Sequence, residues 1–191
     1  MQTIFIGENP QLEAIREGEG LRCAVITHPH PLYGGDMHNN VVMAARDAAL
    51  SSGFSTLRFN FRGVGRSEGR HDHGRGEVDD LDAAVRYAGE HALIIGYSFG
   101  AWIASLYLAR RQTPCILISP PAGMFPFPPL AGNDIQILVG THDQFCNPGV
   151  LKDITPEDRL TLVKGVDHFW FGSEDILRQN LEGILNRFSG A

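Results

Sequence analysis

Six short apolar runs punctuate the chain: CAVIT from Cys23 to Thr27, TLRFNF from Thr56 to Phe61, ALIIG from Ala92 to Gly96, CILIS from Cys115 to Ser119, IQILVG from Ile135 to Gly140 and LTLV from Leu160 to Val163. Each is bounded by turn residues and apolar nearly throughout, the pattern of strands covered on both faces. Between them the period changes. Leu81, Ala84, Val85 and Ala88 recur three and four apart, as do Leu177, Leu181, Leu185 and Phe188, and these spacings predict two amphipathic helices. Gly100 to Ala109 is apolar nearly all round and predicts a helix buried against a sheet. Ser173 is placed as the N-cap of the last helix, with Glu174 and Asp175 at the positive end of its dipole. The alternation predicts an α/β fold, a mainly parallel sheet with right-handed crossovers and helices on both faces. TIFIG and LEAIR, split by ENPQ, predict a leading antiparallel hairpin.

Length and charge narrow the possibilities. At 191 residues, 43% hydrophobic and 20% charged, the chain is expected to form a single domain over residues 1–191. The proline-rich stretch Pro120 to Asp134 is too short for a cap or lid domain. The formal charge of −6 argues against nucleic acid and anionic membrane surfaces as partners. No run approaches the roughly 20 apolar residues that cross a bilayer, and MQTIFIGENP lacks the basic and apolar regions of a secretory signal. The expected location is cytoplasmic, which agrees with three widely spaced cysteines, Cys23, Cys115 and Cys146, read as reduced thiols.

The strongest chemical motif is Gly96-Tyr97-Ser98-Phe99-Gly100, a GxSxG between an apolar strand and an apolar helix. Such a turn needs glycines where strand and helix approach closely, and it thrusts the serine hydroxyl out at the carboxyl end of the sheet. A serine hydroxyl is a poor nucleophile at neutral pH, so an imidazole must take its proton and a carboxylate must orient the imidazole. Asp143 in VGTHDQF and His168 in KGVDHFWFG each follow a predicted strand, and the order Ser98, Asp143, His168 is that of α/β-hydrolases. His142 and Asp167 adjoin the chosen pair as rivals. For an oxyanion hole, the amide of Phe99 is one expected donor; the second is expected from the loop His28 to Gly35, with Leu32 first and Tyr33 next, since Pro29 and Pro31 have no N–H.

Together HPHPLYGGDMHNNVV, LRFNFRGVGRSEG, DHGRGEVDDLDAAV, GYSFG, GTHDQF and VDHFWFG resemble the small, lidless bacterial serine hydrolases, esterase-like, of the α/β-hydrolase superfamily. The resemblance runs from about residue 20 to the end and implies an α/β-hydrolase fold without a cap and a Ser98, Asp143, His168 triad. It implies no particular substrate.

Other patterns weigh less. His28 with His30, and His71 with His73, have a spacing compatible with a metal but no accompanying ligand set, so neither a metal nor another cofactor is expected. RGVGRSEGR lacks the GxxxxGK[ST] pattern and reads as a turn beside the site. Asp79, Asp80 and Asp82 are expected in the first turn of a helix, on a solvated face. Tyr33, Phe125 and Trp170 are expected to line an apolar substrate cleft. The expected reaction is cleavage of a small-molecule carboxylic ester or thioester through an acyl-enzyme. A peptidase or amidase on the same residues is one alternative, and a catalytically silent scaffold used for binding is another. A lidless mouth that a second subunit could cover leaves a homodimer open.

Overall fold

The computed structural model describes residues 3–130 and 134–189. The opening hairpin pairs β1 (Thr3–Ile6) antiparallel with β2 (Leu12–Glu17), Ile6 opposite Leu12, and β2 in turn runs antiparallel to β4 (Ser55–Phe59). From there the sheet is parallel: β3 (Cys23–Thr27), β4, β5 (Ala92–Tyr97), β6 (Cys115–Ile118), β7 (Ile135–Gly140) and β8 (Leu160–Val163). The spatial order is β1-β2-β4-β3-β5-β6-β7-β8.

Helices close both faces, which is why the central strands are apolar throughout rather than alternating. On β3, Cys23 and Val25 point into one core with Leu81 of α2 (Arg75–Ala88) and Ile103 of α3 (Phe99–Leu108). Ala24 and Ile26 point into the other, with Val41 and Ala45 of α1 (Asn40–Ser51) and Leu177 and Leu181 of α5 (Glu174–Ser189). Ser173 directly precedes α5, and its carbonyl accepts the Leu177 amide at 2.9 Å. The three cysteines are free and buried. Among the described residues no helix is long and apolar enough to cross a membrane.

Two regions differ from the sequence expectation. α2 begins at Arg75, capped by a Gly74 amide that donates to Glu77 Oε2 at 2.8 Å, so Asp79, Asp80 and Asp82 fall beyond its first turn. Asp79 is exposed and Asp82 pairs with Arg86 at 2.6 Å, but Asp80 faces inward, where Arg62 grips it through the side chain, at 2.7 Å from Nη2, and through the backbone amide at 3.0 Å. The solvated-face reading is therefore wrong for Asp80. The proline-rich stretch leads on, beyond β7, to a short helix, α4 (Pro148–Ile154), that its composition did not announce. Residues 131–133 of that stretch lie outside the described residues.

Candidate active site

Ser98 occupies the turn between β5 and α3 with φ 53° and ψ −117°, left-handed backbone that a serine adopts only where its surroundings impose it. The imposing contacts are close. A Cβ on Gly100 would lie 2.4 Å from Thr27 Oγ1 and 2.8 Å from His28 O, and one on Gly96 would lie 2.8 Å from the Ala101 Cα. Only hydrogen fits at these two positions, so the start of α3 can dock against β3. The Ser98 amide donates to Ile118 O at 3.0 Å, which fixes the turn to β6 and leaves the hydroxyl at the carboxyl edge of the sheet.

Asp143 and His168 arrive from the loops after β7 and β8. Asp143 is buried; its Oδ1 accepts the amides of Phe145 (3.0 Å) and Cys146 (3.1 Å), so the loop itself orients the carboxylate. His168 Nδ1 lies 2.9 Å from both Asp143 oxygens, and Nε2 lies 2.9 Å from Ser98 Oγ. A carboxylate can only accept, so Nδ1 carries the proton and Nε2 faces the serine with a lone pair. Burial alone would push the Asp143 carboxyl up, but the hydrogen bond and charge of His168, the Ser119 hydroxyl and the Phe145 amide outweigh it and hold the group below its usual value. The rivals do other work. His142 is exposed and spends its amide on Val166 O, while Asp167 Oδ1 caps the amides of Phe169 and Trp170, shaping the loop that carries the imidazole. Tyr97 fixes the same loop by donating its hydroxyl to His168 O at 3.1 Å.

The amide of Phe99, at the first position of α3, has no acceptor among the described residues. Neither residue favoured for a second oxyanion donor has its amide available. Leu32 donates to His30 Nδ1 at 3.2 Å and Tyr33 to His30 O at 3.1 Å. Gly34 and Gly35 donate to Pro31 O and His30 O, and the prolines have nothing to give. This leaves the amides of His28 and His30, which have no acceptor among the described residues, and of the two His30 is the one whose ring lies against that of Phe99, at 4.7 Å. The sequence reading missed it because the short helical turn Pro31–Tyr33, which consumes the neighbouring amides, is invisible as a pattern.

Aromatic rings gather in two groups at the site. Phe125 stacks on Trp102 with centroids 4.5 Å apart, and both meet Phe99, the residue after Ser98; Phe145 packs edge-on to His168 at 4.8 Å and to Phe169 at 6.0 Å. Tyr33 stands on the rim, 83% exposed. Trp170 does not line the cleft. It is 0% exposed, packed with Leu177 and Leu181 beneath the sheet, because a φ of 58° turns it inward while its neighbours Phe169 and Phe171 stay outside. Of the histidine pairs, His28 is buried with both nitrogens engaged, and His71 Nδ1 faces the buried Glu77 carboxylate at 2.8 Å.

Comparison with known proteins agrees with this architecture. A family model described as the alpha/beta hydrolase family matches residues 29–181. An uncharacterized protein of Rickettsia prowazekii, RP471, is 37% identical, over 77% of this chain and 71% of that protein. Among solved structures, an alpha-beta serine hydrolase homologue from Coxiella burnetii is 32% identical with a TM-score of 0.86, covering 96% of this chain and 97% of that one. XC6422 from Xanthomonas campestris, described as a member of the a/b serine hydrolases without a lid, is 29% identical with a TM-score of 0.86, covering 100% and 95%. With a matching family model over most of its length and a fold shared with lidless serine hydrolases, the chain belongs to the alpha/beta hydrolase family.

Proposed function

We propose that the protein hydrolyses a carboxylic ester or thioester through an acyl-enzyme on Ser98. The observation that carries this reading is the unbroken alignment Ser98 Oγ, His168 Nε2, His168 Nδ1, Asp143, with 2.9 Å at each junction. In the first half-reaction Ser98 Oγ attacks the carbonyl carbon and gives its proton to His168 Nε2, while Asp143 steadies the imidazolium that forms. The developing negative oxygen is received by the amides of Phe99 and His30, donors already in place before charge appears. The imidazolium then protonates the departing alkoxide or thiolate, which leaves as the alcohol or thiol, and water repeats the sequence to release the acid and regenerate the serine.

The aromatic walls favour an apolar acyl or alcohol group, because rings reward burial rather than ionic contact. Phe125, Trp102 and Phe145 are the side chains assigned to that subsite, with Tyr33 at its rim. Turnover of p-nitrophenyl esters tests the reading. Ser98→Ala should lower kcat by on the order of 10⁴-fold or more if the three residues act as a unit. A fluorophosphonate probe should label the folded protein on Ser98; no adduct and no ester turnover would instead favour a silent binding scaffold, and faster cleavage of anilides than of esters would favour an amidase.

A further inference from the structure

His168 sits on a stretch that belongs to no strand or helix, between Val163 at the end of β8 and Glu174 at the start of α5. Such a stretch opens easily unless something outside it takes hold. At the imidazole, two side chains from other elements do so. Tyr97, the last residue of β5 and the neighbour of Ser98, donates its hydroxyl to His168 O at 3.1 Å. Asn40, the first residue of α1, donates Nδ2 to Phe169 O at 3.0 Å and to Glu174 Oε1 at 3.0 Å. Consecutive carbonyls are thus held from two separate directions in the fold.

Both donors are committed to these partners. A carbonyl or an ionised carboxylate can only accept, so each bond has one direction. The Tyr97 phenol is buried; burial first, and the charges of Asp143 and Asp167 after it, push its pKa up, so it stays neutral and keeps its proton to give. Its ring lies 5.7 Å from that of His168. Asn40 is spared from capping its own helix, because Asn39 Oδ1 already accepts the Val41 amide at 3.0 Å, and the two hydrogens on Asn40 Nδ2 match its two acceptors. Asp167 Oδ1 secures the amides of Phe169 and Trp170 from within the loop, but an internal cap moves with the loop and cannot locate it. Tyr97 and Asn40 can, since one belongs to the strand that ends in the nucleophile turn and the other to a helix packed on the sheet.

We propose that Tyr97 and Asn40 are positioning residues that clamp the His168 loop at two points and so fix the imidazole at its distance from Ser98 Oγ. The inference rests on the Ser98, His168, Asp143 reading. The two points differ in what they join. Tyr97 adjoins Ser98 in the chain and binds the backbone of His168, so nucleophile and base are tied through one side chain. Asn40 ties the next carbonyl to the starts of α1 and α5 together. Asp143 orients the ring, and the clamp locates the backbone from which the ring hangs.

Tyr97→Phe removes one hydroxyl and keeps the buried ring, and Asn40→Ala changes a half-buried side chain, so at least one is expected to fold. A misplacement of about 1 Å at a reacting group can cost on the order of 10²-fold in rate. Release of one of two holding points should therefore cost about 5- to 30-fold in kcat toward a p-nitrophenyl ester, with KM little changed. The rate of fluorophosphonate labelling should fall with kcat, because both need the base in place. In a His168→Ala background either substitution should change the residual rate less than about twofold, since its effect runs through the missing imidazole. Independently of turnover, the downfield proton NMR signal of His168 Nδ1–H should shift or broaden in each variant, while the methyl region stays that of the folded protein. A folded variant of either residue with kcat within about twofold of the parent and an unmoved Nδ1–H signal would overturn the clamp. So would a loss that persists in full without His168. Should the parent show neither turnover nor labelling, the hydrolase reading fails, and the NMR comparison still decides whether Tyr97 and Asn40 hold the imidazole.

Discussion

His28 shows how one buried side chain sets the acid limit of the fold. Its Nδ1 lies 2.7 Å from Pro29 O, which can only accept, and its Nε2 accepts the Phe61 amide at 3.0 Å. That pattern requires the neutral ring, and burial pushes its pKa down to about 4. An unfolded histidine titrates near 6.5. Above that pH both states are neutral and nothing changes. Between about 6.5 and 4 the unfolded chain takes a proton that the folded chain refuses, so stability falls as acid is added, by on the order of 3 kcal/mol across the window. Asp143 acts in a lower range: its depressed pKa contributes stability above the unfolded carboxylate value, near 3.9, that is lost as the pH falls through the folded value. Denaturant midpoints measured from pH 7.5 to 4.5 should decline for the parent and more gently for His28→Gln, whose amide oxygen can still accept from Phe61 but cannot titrate. Parallel curves would exclude His28 as the source.

At the scale of elements, the junction of β5 and α3 decides whether the hydroxyl is presented at all. Gly100→Ala would drive a methyl into Thr27 Oγ1 and His28 O, and backbone cannot retreat as a flexible side chain can. Overpacking of this kind costs about 1–3 kcal/mol, which in a chain of this size lowers Tm by roughly 2–10 °C. Because α3 must shift to relieve the clash, the Phe99 amide moves with it, and kcat should fall further than the stability loss explains. Calorimetry with parallel ester assays reads both, and a variant with unchanged Tm and kcat would show that the helix does not need this approach.

The same elements mark the reach of pattern reading. Strands β3 to β7 were legible because burial on both faces leaves unbroken apolar runs, β8 at the sheet edge, with Leu162 exposed, only by its short LTLV run, and the meeting of Ser98, Asp143 and His168 because each sits in its own motif at a strand end. The start of α2 was not, since Gly74 and Glu77 cap it through a backbone conformation that composition does not reveal, and Asp80 consequently points inward to Arg62, a partner 18 residues away. The direction of Trp170, its indole hydrogen bond to Ser119 and the free amide of His30 all turn on backbone torsions or on neighbours distant in sequence. No local period encodes such facts.

For the molecule as a whole, the sheet separates two cores, and Leu32, Tyr33, Met124, Phe169 and Phe171 stand exposed on the loops that follow β3, β6 and β8. The interior is where the thiols are. Cys23, Cys115 and Cys146 all lie in the core that contains α2 and α3, and burial raises each, Cys146 to about 12. Maleimide or iodoacetamide should therefore modify none of them under native conditions and all three in denaturant, as intact mass would record. Slow uptake in buffer would then count transient openings of the scaffold, sample by sample. Paired with a serine-directed reagent, it gives two orthogonal chemical clocks in one tube, one timing the nucleophile and the other timing the breathing of the protein that carries it.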